Sequence, residues 1–161
     1  MVLQELRRGG KPNPKAALNH SQFFPEPRIK LGQWLGQRGS ASAMIDLSDG
    51  LSTDLTHLCV ESGVGARVTA AMIPVDDSAA LIARAQGEDA LRMAVEGGED
   101  YQLLAAVPRD RFAEVSELGG VWNLPIVAVG EFVEGADLVI EQKGGDAPLT
   151  ASGFDHFRGG R

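Results

Sequence analysis

Cysteine and long hydrophobic runs are scarce in this sequence of 161 residues. Cys59 is the single cysteine, so no disulfide can form within the chain, and a reducing compartment, the cytoplasm, is expected. Because Cys59 falls among apolar helix positions, we predict a small core residue and not a nucleophile. No apolar stretch approaches the roughly 20 residues that cross a bilayer, so we expect no membrane-spanning segment.

Basic residues are too few to balance the acidic ones. Lys and Arg number 15 against 22 Asp and Glu, which gives a formal net charge of −7. This balance argues against nucleic acid or an anionic membrane as the main partner. A phosphorylated ligand is still compatible, because Mg²⁺ bridges carboxylates to phosphates. The His and Cys spacing of a zinc site, a Walker-type phosphate loop and a dinucleotide glycine fingerprint are also lacking.

Proline divides the chain into two unequal parts. A short helix is predicted at 2–8, and four prolines then lie between residues 11 and 27, which excludes a continuous helix there. We therefore predict a shortened helix and a connector at 1–27, followed by one domain at 28–161. Within that domain, helices are predicted at 28–37, from 51 to near 63, at 79–85, 89–95 and 109–118, and strands at 41–47, 66–71, 101–107, 126–132 and 137–142. Strands alternate with helices and then follow one another, which indicates an α/β (α+β) domain with a mixed sheet.

The first candidate site is the DLSDG segment at residues 46–50, where a predicted strand meets a predicted helix. Backbone N–H groups and the helix dipole favour an anion at such a junction, Ser48 adds a hydroxyl donor, and Gly50 permits close approach. Asp46 and Asp49 repel a phosphate directly but bind it through Mg²⁺. The ordinary alternative is that Asp49 or Ser48 is the helix N-cap, and the pattern alone favours it.

The second candidate site is the EGGEDY segment at residues 96–101, between a predicted helix and a buried strand. Gly97 and Gly98 suit a helix end and a turn. The three acidic side chains of this segment bring charge to the edge of an apolar strand, where burial without a partner is costly. A cationic ligand group or a metal would be such a partner, and plain solvent exposure stays open as the alternative.

The tail at residues 153–157 reads GFDHF. Phe154 suits a flat wall for a ring-shaped ligand, although an anchor that holds the C-terminus to the core is an equal alternative. His156 is a possible acid–base group, but the sequence shows no nucleophile for it to activate.

Taken together, IDLSDGL, EGGEDYQLL, the terminal GFDHF and the connector FFPEPRIKLG resemble the thiamine-monophosphate kinase family, from about residue 16 to the end. The wider superfamily includes aminoimidazole ribonucleotide synthetase. The resemblance implies a three-layer α/β/α domain with a mixed sheet, like the C-terminal domain of that synthetase. It also implies transfer of the γ-phosphate of ATP to thiamine monophosphate with Mg²⁺, a reaction in which protein groups position and neutralise charge.

The resemblance assigns roles to six positions: Asp46 and Asp49 would hold Mg²⁺, Ser48 and Gly50 would contact the ATP phosphates, Glu99 would face the cationic thiazolium ring, and Phe154 would line the substrate pocket. No residue receives a covalent role. Gln102 stands where the family usually has glutamate.

The N-terminal domain of that family is absent from this sequence. In the family it carries most of the nucleotide site, further Mg²⁺ ligands and the dimer interface. The resemblance thus implies an isolated chain that is inactive and a full-length protein that is a homodimer. Two alternatives stay open, namely another ATP-using member of the superfamily and a non-catalytic module that binds thiamine phosphate.

Overall fold

The computed structural model describes residues 25–152, and an observed helix or strand overlaps each one predicted within that range. The strand predicted at 126–132 is present only from residue 130 onward. The predictions for residues 1–24 and for the tail from residue 153 onward lie outside the described part. The helices are α1 (Ile29–Arg38), α2 (Leu51–Ser62), α3 (Asp77–Gln86), α4 (Ala90–Glu96) and α5 (Phe112–Trp122), with one 3₁₀ turn at Ala70–Met72. The strands are β1 (Ala43–Asp46), β2 (Gly65–Thr69), β3 (Leu103–Ala106), β4 (Gly130–Val133), β5 (Leu138–Gln142) and β6 (Gly145–Pro148).

The larger sheet has four strands in the order β4-β2-β5-β6. β2 and β5 are parallel, whereas the β2–β4 and β5–β6 pairs are antiparallel. β1 and β3 form a separate antiparallel pair, in register from Ala43 with Ala106 to Asp46 with Leu103. The mixed α/β class with a mixed sheet is therefore confirmed.

Two hydrophobic clusters lie on opposite faces of β3. Leu104 packs against the first cluster, whereas Leu103 and Ala105 pack against the second, as the two-residue period of a strand requires. The buried members of the first cluster are Leu51, Leu55, Cys59, Ala66, Val68, Ile73, Val95, Ile140 and Leu149. Those of the second are Leu31, Leu35 and Val115, which join α1 to α5. The core position predicted for Cys59 is confirmed.

The link between β4 and β5 passes over the start of β2. Because β4 and β5 lie on either side of β2, residues 134–137 must cross its first residue, Gly65. A Cβ atom at Gly65 would lie 2.5 Å from the carbonyl oxygen of Asp137, closer than real Cβ contacts. This crossing therefore requires glycine at position 65.

The longest described helix, α2, has 12 residues. Across residues 25–152, no helix is both long and apolar enough to cross a bilayer.

Candidate functional site

The DLSDG segment forms the junction between β1 and α2. β1 ends at Asp46, whose side chain is exposed, and α2 begins at Leu51. Gly50, the N-cap, has φ 107° and ψ 155°, a conformation that L side chains rarely adopt. A Cβ atom here would lie 2.9 Å from the carbonyl oxygen of Glu96 and 3.0 Å from that of Gly97. Glycine at position 50 thus allows the first motif to contact the second.

The two motifs are joined by backbone hydrogen bonds. The N–H of Glu99 donates to the carbonyl of Ser48 at 2.8 Å, and that of Tyr101 donates to the carbonyl of Leu47 at 3.0 Å. The N–H of Leu47 donates in turn to the backbone carbonyl of Gln102 at 2.8 Å. These bonds continue the β1–β3 pairing beyond the strands. Residues 46–50 and 96–101, which are about fifty positions apart, therefore form one continuous surface.

Glycine also permits the reverse contact. A Cβ atom on Gly98 would overlap the carbonyl oxygen of Ser48 and lie 3.1 Å from the Cα of Asp49. Both partners are backbone atoms, so no side-chain rotation could relieve the overlap. Gly50 and Gly98, one in each motif, thus each allow the backbone of the other motif to come into contact.

Neither Ser48 nor Asp49 caps α2. The N-cap is Gly50, and it makes no side-chain capping hydrogen bond. Instead, the Asp54 carboxylate, one turn into the helix, accepts from the N–H groups of Asp49 at 3.0 Å and Gly50 at 3.1 Å. The capping alternative for Ser48 and Asp49 is therefore wrong.

Asp54 is a buried carboxylate that holds the first motif in place. Its relative exposure is 2%. Burial raises the pKa of Asp54 above its ordinary value, the negative charge of Asp49 raises it further, and the backbone N–H donors oppose both effects. The sequence pattern does not single out Asp54, because an aspartate in the first helical turn is common. The feature that could have indicated Asp54 is its position four residues after Gly50, from which its carboxylate can reach the backbone N–H groups of the loop.

The second motif has strained backbone at two positions. Glu99 has φ 67° and Tyr101 has φ 50°, both in the left-handed region that non-glycine residues seldom occupy. Each such residue costs about 1–3 kcal/mol and persists only where the surroundings hold it, typically at ligand clamps. Both side chains are exposed, Tyr101 at 41%. The motif therefore presents a carboxylate and an aromatic ring to solvent on a fixed backbone.

The site residues predicted from sequence lie as follows: Asp46 and Glu99 are exposed, Ser48 and Asp49 are half-buried, and Gly50 is buried. Phe154 lies outside the described residues. The described chain ends nearby, because the N–H of Ser152 donates to the hydroxyl of Ser52 in the first turn of α2 at 3.4 Å. Ser152 is therefore next to the first motif.

The donor set suits a magnesium ion shared with a phosphate ligand. No group of three or more His, Cys, Asp or Glu side chains that could hold a metal occurs in the described range 25–152. Mg²⁺ commonly takes one or two protein carboxylates together with substrate phosphates and water. Asp46 and Asp49, on one four-residue stretch, fit that pattern and do not form a complete protein cage.

Comparison with known families identifies the class of protein. Residues 4–143 match the family model "AIR synthase related protein, C-terminal domain", and the chain belongs to this family. Within it, the chain is similar to thiamine-monophosphate kinases. It is 39% identical to the Escherichia coli (strain K12) enzyme over 136 residues, which is 83% of this chain and 40% of that protein. It is 34% identical to the Haemophilus influenzae enzyme over 153 residues, which is 88% of this chain and 43% of that protein.

Solved structures agree with these relatives. One, described as AaThiL complexed with AMPPCP and TMP, matches with TM-score 0.76 and 26% identity over 97% of this chain and 46% of the other. The thiamine-monophosphate kinase of Stenotrophomonas maltophilia K279a matches with TM-score 0.73 and 29% identity over 86% and 45%. The chain thus spans about two fifths of the length of the curated relatives. The family resemblance expected from the motifs is confirmed.

Proposed function

We propose that the chain is the C-terminal part of a thiamine-monophosphate kinase, which transfers the γ-phosphate of ATP to thiamine monophosphate in the presence of Mg²⁺. The observation that carries this proposal is the backbone pairing of residues 46–50 with residues 96–101. The curated relatives are named for this reaction. A similar structure is described as complexed with AMPPCP, an ATP analogue, and TMP.

In this proposal, Asp46 and Asp49 hold the magnesium ion. The ion, when bound, neutralises charge on the phosphates. The Ser48 hydroxyl contacts the ATP phosphates at the start of α2, where the helix dipole favours an anion. The N–H of Gly50 already donates to Asp54, so the role of Gly50 near the phosphates is limited to shaping the loop. Asp54 keeps this loop in place from beneath. Positioning and charge neutralisation are the whole contribution of these residues.

Glu99 is the proposed contact for the thiazolium ring. Its carboxylate is exposed, and the backbone that bears it is fixed by the bond to Ser48. A carboxylate suits a ring with a permanent positive charge. Phe154 is proposed to line the same pocket, which agrees with the position of Ser152 against α2.

We assign most of the nucleotide site and the further Mg²⁺ ligands to an N-terminal domain. Because the chain spans 40% of the E. coli relative, we propose that residues 1–27 connect it to that domain, and that residues 28–161 form the C-terminal domain. The complete protein is proposed to be a cytoplasmic homodimer, and the isolated chain is proposed to be inactive.

The test compares the chain alone with the chain mixed with the N-terminal domain of the E. coli enzyme. ATP-dependent formation of thiamine diphosphate by the mixture and not by the chain alone would support the proposal. Turnover by the chain alone would contradict the assignment of an incomplete site. Calorimetric titration with thiamine monophosphate and with aminoimidazole ribonucleotide measures which of the two ligands is preferred. Preference for the latter would indicate another member of the superfamily, and binding without transfer in the mixture would indicate a non-catalytic module.

A further inference from the structure

The side chain of Gln102 bridges two parts of the chain. Its Oε1 accepts a hydrogen bond from Nε of Arg28 at 2.9 Å, and its Nε2 donates to the carbonyl of Asp100 at 3.1 Å. A side-chain amide carries an acceptor and a donor at one end, whereas an ionised carboxylate only accepts. Glutamine at this position therefore makes both contacts simultaneously, which an ionised glutamate cannot do.

The contact with Asp100 acts on a strained peptide unit. The carbonyl of Asp100 and the N–H of Tyr101 belong to the same planar group. That carbonyl accepts from Gln102, and that N–H donates to Leu47 at 3.0 Å. With both ends held, the plane cannot rotate, and the left-handed φ of Tyr101, which adjoins this plane, is retained. Glu99 lies one residue before the plane, and its N–H is held by the carbonyl of Ser48.

The contact with Arg28 connects this peptide unit to the start of α1. Arg28 is the N-cap residue of that helix, and its side chain is 22% exposed. The guanidinium also binds the exposed carboxylate of Glu26 through Nη1 at 3.1 Å. The side chain of Gln102 is thereby held by the first residue of the domain, 74 positions away in sequence.

We propose that Arg28 and Gln102 form a latch, here called the Arg28–Gln102 latch, which positions Glu99 and Tyr101 to receive the ligand. Both are positioning residues, because they act through the backbone of the second motif. The claim that the latch positions these residues for thiamine monophosphate rests on the proposed function. The claim that the latch holds the backbone of the second motif concerns the chain by itself and does not depend on any ligand.

The test measures amide hydrogen exchange of Glu99 and Tyr101 by NMR in the parent chain, Gln102→Glu and Gln102→Met. Both substitutions keep the approximate size of the side chain. Glutamate keeps the acceptor for Arg28 and loses the donor for Asp100, and methionine loses both. We expect exchange at Tyr101 to become about tenfold faster in both variants, since each loses the hydrogen bond to the carbonyl of Asp100, which is of ordinary net strength. Exchange at Ile140 in β5 should accelerate by no more than the loss of global stability that urea denaturation of the same variant measures.

Two control variants separate the latch from general effects. Gln142→Glu makes the same chemical change at an exposed position in β5, and Arg38→Ala removes an exposed arginine from the same helix that Arg28 caps. Neither should alter exchange at Glu99 or Tyr101. Parental exchange at Tyr101 in both Gln102 variants, or equal acceleration in the controls, would overturn the latch.

The claim about thiamine monophosphate is tested by titrating the same proteins with this ligand in the presence of Mg²⁺ and AMPPCP. We expect Gln102→Glu to bind about tenfold more weakly while it remains folded, as its unfolding transition shows. Parental affinity together with faster exchange would overturn the positioning role. A parent chain that binds no thiamine monophosphate even when mixed with the N-terminal domain of the E. coli enzyme would contradict the proposed function, while the exchange measurement would still decide the latch.

Discussion

The backbone N–H of Glu99 donates a 2.8 Å hydrogen bond to the carbonyl oxygen of Ser48. This bond joins two motifs that each carry exposed or half-buried acidic side chains. Bringing like charges together is unfavourable unless a cation or donor compensates. The bond therefore brings acidic side chains of both motifs into one region, as the proposed cation site requires.

Gly98→Ala should weaken this contact and destabilise the chain. The new Cβ would overlap the carbonyl oxygen of Ser48, and we expect the free energy of unfolding to fall by about 1–3 kcal/mol, as for other overpacked sites. Urea denaturation measures this. The matched control is Gly120→Ala in α5, where no atom lies within 4 Å of the new Cβ and alanine favours the helix. Equal stability of Gly98→Ala and the parent would show that the motifs do not pack as described.

Asp46→Asn and Asp49→Asn should each reduce the effect of magnesium on nucleotide binding. Amide oxygens replace charged ligands, so we expect affinity for AMPPCP in MgCl₂ to fall by at least about tenfold, with little change in EDTA. Calorimetric titration in both buffers measures this. Glu117→Gln, an exposed position on α5, is the control for loss of one negative charge. If magnesium raises the affinity for AMPPCP in both variants as much as it does in the parent, then Asp46 and Asp49 do not bind the ion.

Much of the fold followed from pattern, and the exceptions have physical reasons. β6 at Gly145–Pro148 was not predicted, because its residues, GDAP, are poor strand formers and its conformation comes from pairing with β5. The strand predicted at 66–71 ends at Thr69, since the chain enters a 3₁₀ turn at Ala70. Pairing partners and local turns of this kind depend on tertiary contacts that periodicity does not contain.

The residues of the candidate site could be proposed from sequence, but their arrangement could not. Asp46, Asp49 and Glu99 stay predictions, and no pattern in the sequence shows that the two motifs pair through their backbones. The sequence also favours Ser48 or Asp49 as a cap, whereas the amides of the loop are bound by Asp54. A hydrogen bond from a residue to a carboxylate four or five positions later depends on the loop conformation, and that conformation is set by Gly50 and its contact with Glu96.

The thiol of Cys59 should react only when the chain unfolds. Its relative exposure is 1%, and burial raises the pKa of the thiol, so both access and the reactive thiolate are limited. We expect labelling by a disulfide reagent at mildly alkaline pH to be at least about a hundredfold slower than in concentrated guanidinium. In the control, Cys59→Ala combined with Val60→Cys moves the thiol to the adjacent position, which is 69% exposed, and should label at once. Rapid labelling of the native parent would contradict the described core.

Asp54→Asn should change how stability depends on pH. The pKa of Asp54 in the folded chain is raised above its ordinary value of 3.8, so the folded state binds this proton more tightly than the unfolded state does. The stabilisation that the proton provides is complete below 3.8 and is lost as pH rises through the folded pKa. Asparagine keeps an acceptor for the N–H of Gly50 and has no proton to lose.

The free energy of unfolding of the parent should therefore fall relative to that of Asp54→Asn as pH rises from just below 3.8 towards neutrality. Urea denaturation of both proteins across this range measures the difference, and the subtraction cancels the carboxyl groups that the two share. Because the negative charge of Asp49 contributes to the raised pKa, Asp49→Asn should make the fall smaller. Parallel curves for the parent and Asp54→Asn, or a parent that gains relative stability with rising pH, would show that Asp54 is not the desolvated carboxylate beneath the loop.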